Sequence, residues 1–198
     1  VKVYIAPPIT YGISDEHVGF PGTVTISARI FHRLLVNMAR QLKAIGFRTV
    51  AVLNTHGGNS ATLAATLREI QSALDMNTCM IAPTWKPPVL AQEAAFGFHA
   101  GQIETAWMLA IAPHLVHQDR ARSEFPARLD DPGSLRPENA PATFSWATAD
   151  VSRSGIMGDA TAANVVDGRE WFDAGAHSLA GQIIKLAEAV AKSKLHAR

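Results

Sequence analysis

The 198-residue sequence has little cysteine, little net charge and no long apolar run. Its one cysteine, Cys79, cannot form an internal disulfide, and a cytoplasmic protein is therefore the default expectation. A net charge of +1 gives no reason to expect nucleic acid as a partner. No segment stays apolar for the roughly 18 residues that a membrane helix needs, and the first residues lack a signal-peptide pattern. We therefore expect a globular protein with no nucleic-acid or membrane partner.

Several motifs of known chemistry are also missing. The sequence contains no Cys-x-x-Cys, P-loop or Gly-x-Gly-x-x-Gly pattern, which argues against a zinc ribbon, an NTPase and a dinucleotide enzyme. A Gly-x-Ser-x-Gly elbow is missing too, which argues against a serine hydrolase. What the sequence does contain is eight histidines. Histidine is the commonest metal ligand and a proton carrier near neutral pH.

The apolar periodicity predicts alternating strands and helices. Strand-like runs cover 2–6, 48–53 and 78–82, with a further short strand over 143–148. Helical stripes run from Ala28 to before Gly46, from Asn59 or Ser60 through Leu74, from Gly101 to Ala112, and over 169–193. Residues 119–142 lack periodicity and are predicted to be a long loop. The alternation predicts a three-layer αβα fold with a mainly parallel sheet, as a single domain over 1–198. Because Val1 leads straight into a strand, we expect the natural N-terminus to be missing.

The segment from Asn54 to Asn59 (Asn-Thr-His-Gly-Gly-Asn) is the most informative one. It follows the apolar run 48–53, so it lies where open α/β sheets bind ligands, at the carboxyl end of a strand. Gly57 and Gly58 allow the backbone to approach a ligand closely, and His56 offers a ring nitrogen to a metal. A simple tight turn is the alternative interpretation of the same residues.

Three further segments carry groups suited to chemistry. His99 and Glu104 lie five residues apart near the start of a predicted helix, a spacing that suits one ligand and one proton carrier; a capping histidine and a solvated glutamate are the alternative. Residues 11–23 follow the first predicted strand. Residues 154–159 form a glycine-containing loop in which Asp159 can cap the next helix, and an ordinary helix start explains this loop equally well.

Together, and in this order, these segments resemble the creatininase family of amidohydrolases. The resemblance is carried by Pro-Pro-Ile-Thr-Tyr-Gly-Ile-Ser-Asp-Glu-His with Phe-Pro-Gly-Thr (7–23), Asn-Thr-His-Gly-Gly-Asn (54–59), His-Ala-Gly-Gln-Ile-Glu-Thr (99–105) and Gly-Ile-Met-Gly-Asp (155–159). It implies a metal-dependent hydrolase of a cyclic amide or formyl amide of a small molecule. It also implies a homo-oligomer, because members of the family assemble as homo-oligomers, often hexamers.

The resemblance also implies residue roles. His56 and Glu104 would bind metal, and His99 and Glu104 would be the catalytic pair, with His99 carrying protons. The substrate pocket would be formed by Ser14, His17, Gly22, Thr23, Gly57, Gly58 and Asn59. The cofactor would be a pair of divalent ions (Zn, Mn or Fe), which lower the pKa of a water and polarise the amide carbonyl.

The sequence departs from the family pattern in three places. The ligand motif Glu-x-His-Gly-x-His-Leu-Pro, which supplies three metal ligands in the family, has no copy in 1–198. Gln102 replaces a residue that is usually Glu, and Ala160 replaces a usual Pro. Since two ligands hold a metal poorly, we expect this chain to need further ligands for activity.

Two other functions remain open on the residues alone. A non-catalytic binding or scaffold homologue would have lost its metal site. A nucleotide- or sugar-binding α/β module would use the glycine loops without metal, and its ligand binding would be insensitive to chelators.

Overall fold

The computed structural model describes residues 3–126 and 146–196, which divide into two compact units. The first unit contains residues up to 18, then 22–83 and the chain from 179 onward. The second contains 19–21 and 84–178, as far as these are described. A long C-terminal helix, α6 (Val165–His196), supplies residues to both. The prediction of a single domain over 1–198 stays a prediction.

The first unit is built on a strand–helix–strand repeat. Its two strands pair in parallel with a register that runs from Thr49↔Asn77 to Leu53↔Ile81. The helix between them packs on both its neighbouring helix and the second strand. This arrangement confirms the predicted α/β class with a parallel sheet. The elements are α1 (Ala28–Ala44), β1 (Thr49–Leu53), α2 (Ser60–Leu74) and β2 (Asn77–Ile81), with 3-10 turns at Asp15–His17 and Gly57–Asn59.

Local sequence signals explain where α1 begins and ends. The Ser27 side chain accepts a hydrogen bond from the Ile30 backbone N–H at 3.4 Å, which caps the first turn as predicted. After Ala44 the chain turns at Gly46, whose φ of +104° is a conformation that other residues rarely adopt.

Apolar side chains of α1 and α2 form the core of the first unit. Leu63 and Ile70 of α2 are 1% and 2% exposed, and Phe31 and Leu35 of α1 pack in the same cluster. Ile13, which precedes the 3-10 turn, is also buried in this cluster. The core therefore anchors the segment before residue 14 to the helices that flank β1.

The second unit is mainly helical. Its core contains Ala106, Leu109, Ala163 and Trp171. Helix α6 passes very close to the helix Gln102–Ile111 here: a Cβ on Gly168 would lie 1.9 Å from the carbonyl oxygen of Ala106. The elements are α3 (Ala91–Phe96), α4 (Gln102–Ile111), β3 (Ser123–Glu124), α5 (Thr148–Val151) and β4 (Gly158–Asp159), with 3-10 turns at Pro113–Leu115, Gln118–Arg120 and Ala160–Ala162. Strands β3 and β4 pair antiparallel.

Most predicted elements are confirmed within a few residues of their expected ends. The strand predicted over 2–6 is wrong for residues 3–6, which are exposed and form no strand. Among the described residues the parallel sheet contains only β1 and β2. Residues 3–6 therefore pair with no strand, although their sequence alternates as a strand does. The loop predicted over 119–142 contains β3, and beyond residue 126 it lies outside the described residues. Of the strand predicted over 143–148, residues 143–145 lie outside them and Thr148 begins α5.

No helix in the described part of the chain is both long enough and apolar enough to span a membrane.

Candidate functional site

The carboxyl end of β1 places His56 in a loop that is fixed by its own side chains. The Asn54 amide nitrogen donates to the carbonyl oxygen of His56 at 2.9 Å and to the Ser60 hydroxyl at 3.2 Å. In return the Asn54 side-chain oxygen accepts the His56 backbone N–H at 3.4 Å. Since both backbone groups of His56 are bonded to one side chain, the backbone from which the imidazole projects is fixed by the loop.

Asn59 joins this loop to the segment that precedes the first 3-10 turn. Its side-chain oxygen accepts the Ile13 backbone N–H at 2.9 Å, and its amide nitrogen donates to the Asn54 side-chain oxygen at 3.2 Å. Gly12 makes this approach possible, because a Cβ there would lie 2.6 Å from the Asn59 oxygen. The Asn59 side chain therefore holds residues 12–14 against the end of β1.

The His56 ring points into a group of oxygen atoms. Its Nε2 lies 2.8 Å from the Ile13 carbonyl oxygen, 3.1 Å from the Ser14 hydroxyl and 3.1 Å from Oε1 of Glu16. Gly58 leaves room for this contact, since a Cβ there would lie 2.3 Å from the Ile13 oxygen. Carbonyl and carboxylate oxygens only accept hydrogen bonds, so these surroundings suit an N–H group at Nε2.

The 3-10 turn Asp15–His17 brings a carboxylate and a second imidazole to His56. Nε2 of His17 lies 3.6 Å from Oε1 of Glu16, and the rings of His17 and His56 are 5.9 Å apart between centroids. Thr23 donates its hydroxyl to the His17 carbonyl oxygen at 3.1 Å. Thr25 accepts the Ser14 N–H at 2.9 Å and donates to Asp15 at 2.8 Å. The threonines therefore hold the turn in the conformation that gathers the three side chains.

One ligand atom from each of Glu16, His17 and His56 lies within 4.8 Å of the other two. Across residues 3–126 and 146–196 this is the one group of at least three His, Cys, Asp or Glu side chains close enough to hold an ion. The side chains are 20%, 14% and 30% exposed, so solvent reaches them without surrounding them. Two imidazoles and a carboxylate are the ligand types of Zn²⁺, Mn²⁺ and Fe²⁺, and three protein ligands are the usual number in a catalytic zinc site. The residues fit a divalent metal.

His99 and Glu104 form a second candidate group, which lies in the second unit. Nδ1 of His99 is 3.9 Å from Oε2 of Glu104, and both residues line a cavity of about 180 Å³ with Trp107. The same glutamate oxygen accepts the Ala100 backbone N–H at 2.6 Å. Ala100 has a φ of +51°, which is strained for a residue with a Cβ. Thr105 donates its hydroxyl to the Ala100 carbonyl oxygen at 3.1 Å, so side chains of α4 hold this strained residue from both sides.

The glycine loop 154–158 supports His99 from outside α4. The backbones of His99 and Met157 form a short antiparallel bridge, with N–H to O distances of 2.8 and 3.2 Å. The turn before Met157 is fixed by the Glu124 carboxylate, which accepts the backbone N–H groups of Arg153 and Ser154 at 2.6 and 3.0 Å and also binds the Ser154 hydroxyl. Burial raises the pKa of Glu124, but these hydrogen bonds outweigh it and the pKa is lowered.

The structure brings together some of the predicted site residues and not others. Ser14, His17, His56, Gly58 and Asn59 lie in one neighbourhood of the first unit, and Thr23 is bonded to that neighbourhood. Gly22 has a φ of +90° in the turn before Thr23, and Gly57 begins the 3-10 turn after His56. His99 and Glu104 are neighbours in the second unit. The predicted sharing of a metal by His56 and Glu104 joins residues of the two units and stays a prediction.

Sequence reasoning did not single out Glu16 and assigned His17 to the substrate rather than to the metal. The available signal was the Glu-His pair itself, placed three residues after a buried isoleucine and before a threonine-rich turn. Glu93 was also missed. It is 3% exposed. Its carboxylate accepts the backbone N–H of Gln102, three residues after His99, and that of Asp159, two residues after Met157.

The profile of the creatininase family, described as creatinine amidohydrolase, matches residues 1–183. The chain belongs to the creatininase family.

Curated relatives of this creatininase-family chain have different names. A mycofactocin precursor peptide peptidase of Mycolicibacterium smegmatis is 36% identical, over 85% of this chain and 61% of its own length. A 3-dehydro-scyllo-inosose hydrolase of Thermotoga maritima is 26% identical, over 86% and 61%. A creatinine amidohydrolase of Pseudomonas putida is 26% identical, over 75% and 66%. The chain thus spans about 61% of the length of the peptidase that it matches.

Solved creatininases share the fold. A structure described as creatininase Mn has a TM-score of 0.69 and 21% identity, over 90% of this chain and 74% of that chain. A mutant creatininase of the Zn-Zn type has a TM-score of 0.63 and 22% identity, over 84% and 67%. At these identities the likeness shows the fold, which confirms the creatininase-like α/β architecture expected from the motifs.

Proposed function

We propose that this creatininase-family chain takes part in the divalent-metal-dependent hydrolysis of an amide C–N bond. The observation that carries the proposal is the convergence of Glu16, His17 and His56 within 4.8 Å at the carboxyl end of β1. Relatives named as a peptidase, a hydrolase and an amidohydrolase support a hydrolytic reaction. Solved creatininases of Mn and Zn-Zn types support a divalent metal.

Glu16, His17 and His56 are the residues that we assign to the metal. When bound, a divalent ion would act as a Lewis acid that polarises the amide carbonyl and makes water more acidic. The oxygen-rich surroundings of His56 Nε2, which now suit a ring N–H, also suit a cation in place of that proton. Three ligands match one catalytic ion. A pair of ions, as the resemblance implies, would need additional ligands.

His99 and Glu104 are the residues that we assign to proton transfer. A histidine can deliver a proton to the leaving nitrogen of an amide, which is too basic to leave without one. Glu104 lies 3.9 Å from the His99 ring, close enough to orient it. The cavity of about 180 Å³ beside the pair has room for a small polar group rather than a large ligand.

For the substrate we propose a cyclic or formyl amide of a small molecule, in a homo-oligomeric cytoplasmic enzyme. The mycofactocin precursor peptide peptidases, which are 31% to 36% identical, favour a peptide amide as the second candidate. Ser14 and the turn at Gly22 and Thr23 would face the substrate. Gly57, Gly58 and Asn59 would form the backbone wall beside it.

The test begins with the metal content of the intact protein, measured by elemental analysis before and after dialysis against a chelator. We expect at least about one divalent ion per chain, lost in Glu16→Gln and His56→Ala. His32→Ala is the matched control, because this histidine of α1 pairs with Glu69 at 2.9 Å and lies outside the cluster. A protein that binds no ion in any form would refute the metal assignment and favour the scaffold function.

The second step is a panel of a cyclic amide, a formyl amide and a short peptide amide, incubated with the metal-loaded protein. Ring opening of the cyclic amide, detected as the addition of one water to its mass, or release of formate from the formyl amide supports the proposed substrate class. Cleavage of the peptide alone would replace it with the second candidate. Ligand binding that survives metal removal, without hydrolysis, would instead indicate a metal-free binding module.

A further inference from the structure

Glu93 is a buried carboxylate that binds two backbone segments, the one that contains His99 and the one that pairs with it at Met157. It lies in α3, is 3% exposed, and has no role in the proposed reaction. Its Oε1 accepts the N–H of Gln102, the first residue of α4, at 2.7 Å. Its Oε2 accepts the N–H of Asp159 in β4 at 2.8 Å. Burying a carboxylate is costly unless its oxygens are hydrogen-bonded, and here main-chain groups supply those bonds.

Three glycines make room for the Glu93 side chain. A Cβ at Gly101 would lie 2.3 Å from its Oε1, and one at Gly97 would lie 2.5 Å from the same atom. A Cβ at Gly158 would lie 2.9 Å from Oε2. Since all three distances are shorter than a real Cβ contact, the carboxylate fills a space that exists only because these positions lack side chains.

The short segment 98–102 is held at three points. At its start, His99 pairs with Met157 through backbone hydrogen bonds. In the middle, Ala100 is kept at a φ of +51° by its hydrogen bond to Glu104. At its end, Gln102 is bonded to Glu93, which also holds the Met157 side of the bridge through Asp159. Glu93 is therefore the one side chain in this set that binds both strands of the bridge.

We propose that Glu93 is a positioning residue, whose buried carboxylate fixes the His99–Glu104 pair by joining the start of α4 to β4. The inference rests on the proposed function, because the pair is catalytic only if the chain hydrolyses an amide. Without the bond from Glu93, the strain at Ala100 favours relaxation of the segment, and the His99 ring then moves relative to Glu104. A displacement of about 1 Å at a catalytic group lowers turnover by about 100-fold.

The test is Glu93→Gln in the intact protein. Glutamine keeps the shape but places an NH₂ group opposite one of the two N–H donors, so one hydrogen bond is lost whichever way the amide is turned. We expect faster amide hydrogen exchange in peptides covering 97–105 and 155–162, measured by mass spectrometry. On any amide that the protein hydrolyses, we expect kcat to fall by about 10- to 100-fold while KM changes little. Glu170→Gln, an exposed glutamate of α6, is the matched control.

A second pair of variants separates positioning from loss of folding. Gly101→Ala adds a methyl group against Oε1 of Glu93, and Glu93→Asp shortens the acid. We expect each single change to speed exchange and lower kcat. Because the shorter acid leaves room for the methyl group, the double variant should lose less than the product of the two single effects.

The outcomes for Glu93 and for the proposed function are separate. If the unmodified protein hydrolyses no amide, the proposed function fails, while the exchange data still show whether Glu93 holds the two segments. If Glu93→Gln keeps the protection of both peptides, or lowers only the melting temperature and leaves kcat unchanged, the positioning role is refuted.

Discussion

Asn59→Ala is expected to weaken metal binding although Asn59 is not a ligand. The substitution removes two hydrogen bonds, from Ile13 N–H at 2.9 Å and to the Asn54 oxygen at 3.2 Å. These bonds hold residues 12–14 against the His56 loop, and Glu16 reaches to within 3.1 Å of His56 only from that position. The change therefore acts on the distance between ligands rather than on the ligands themselves.

The magnitude follows from the bonds that are lost. A typical intramolecular hydrogen bond contributes about 0.5–1.5 kcal/mol, so two contribute about 1–3 kcal/mol to the free energy of unfolding. The N–H of Ile13, a residue that is only 8% exposed, is left without its acceptor, which favours the upper part of that range. Loss of groups that orient metal ligands typically lowers metal affinity by about 10- to 100-fold, and we expect the same here.

The assay is isothermal titration with Zn²⁺ or Mn²⁺, together with denaturant unfolding of the metal-free protein. Asn77→Ala is the control, because this asparagine is exposed and the one hydrogen bond described for its side chain is long, at 3.4 Å to the Thr49 hydroxyl. If Asn59→Ala binds metal as tightly as the unmodified protein while its unfolding free energy falls, the site does not depend on the docking of residues 12–14. The assignment of Glu16 and His17 to the metal would then have to be abandoned.

Three further predictions concern stability and reactivity. Leu63→Ala, at a core residue that is 1% exposed, should lower the free energy of unfolding by about 2–5 kcal/mol in a denaturant titration. Since the pKa of Glu124 is lowered in the folded protein, its stabilisation is complete above its unfolded pKa of about 4.3 and is lost as pH falls through the folded value. The stability difference between the unmodified protein and Glu124→Gln should therefore shrink below about pH 4, and a constant difference would contradict this. Burial raises the pKa of the Cys79 thiol, so it should react with iodoacetamide at pH 8 more slowly than free cysteine does.

Local sequence signals predicted the elements that local interactions determine. Helix α1 begins at a serine cap and ends before a glycine, and β1 follows from a short apolar run. The failed strand at residues 3–6 shows the limit, because an alternating pattern indicates only that a segment could pair. Whether it does pair depends on a neighbouring strand, which is a property of the fold and not of the segment.

The sequence predicted the glycine-containing segments of the candidate site, but only one of the three residues that we assign to the metal, His56. His56 and His99 were identified because each lies in a recognisable segment that contains glycine. Glu16 was not, because its distance to His56 depends on how Ile13 docks in the core and on the hydrogen bond from Asn59. These contacts connect residues 46 positions apart in the chain, and no periodicity or spacing rule reports them.

In both candidate groups, glycines make room for a polar side chain that binds neighbouring backbone: Asn59 binds Ile13, and Glu93 binds Gln102 and Asp159. Around His56, Gly12 and Gly58 admit the Asn59 amide and the Ile13 carbonyl; around His99, Gly101 and Gly158 admit the Glu93 carboxylate. In each case the glycine is the feature that the sequence shows, while the side chain that fills the space holds the neighbouring backbone in place. A larger residue at Gly12, Gly101 or Gly158 would meet that side chain, whereas at Gly58 its Cβ would lie 2.6 Å from Glu16 Oε1 and 2.7 Å from His56 Nε2. Damage from such substitutions should therefore appear as loss of ligand or proton-carrier geometry before it appears as unfolding.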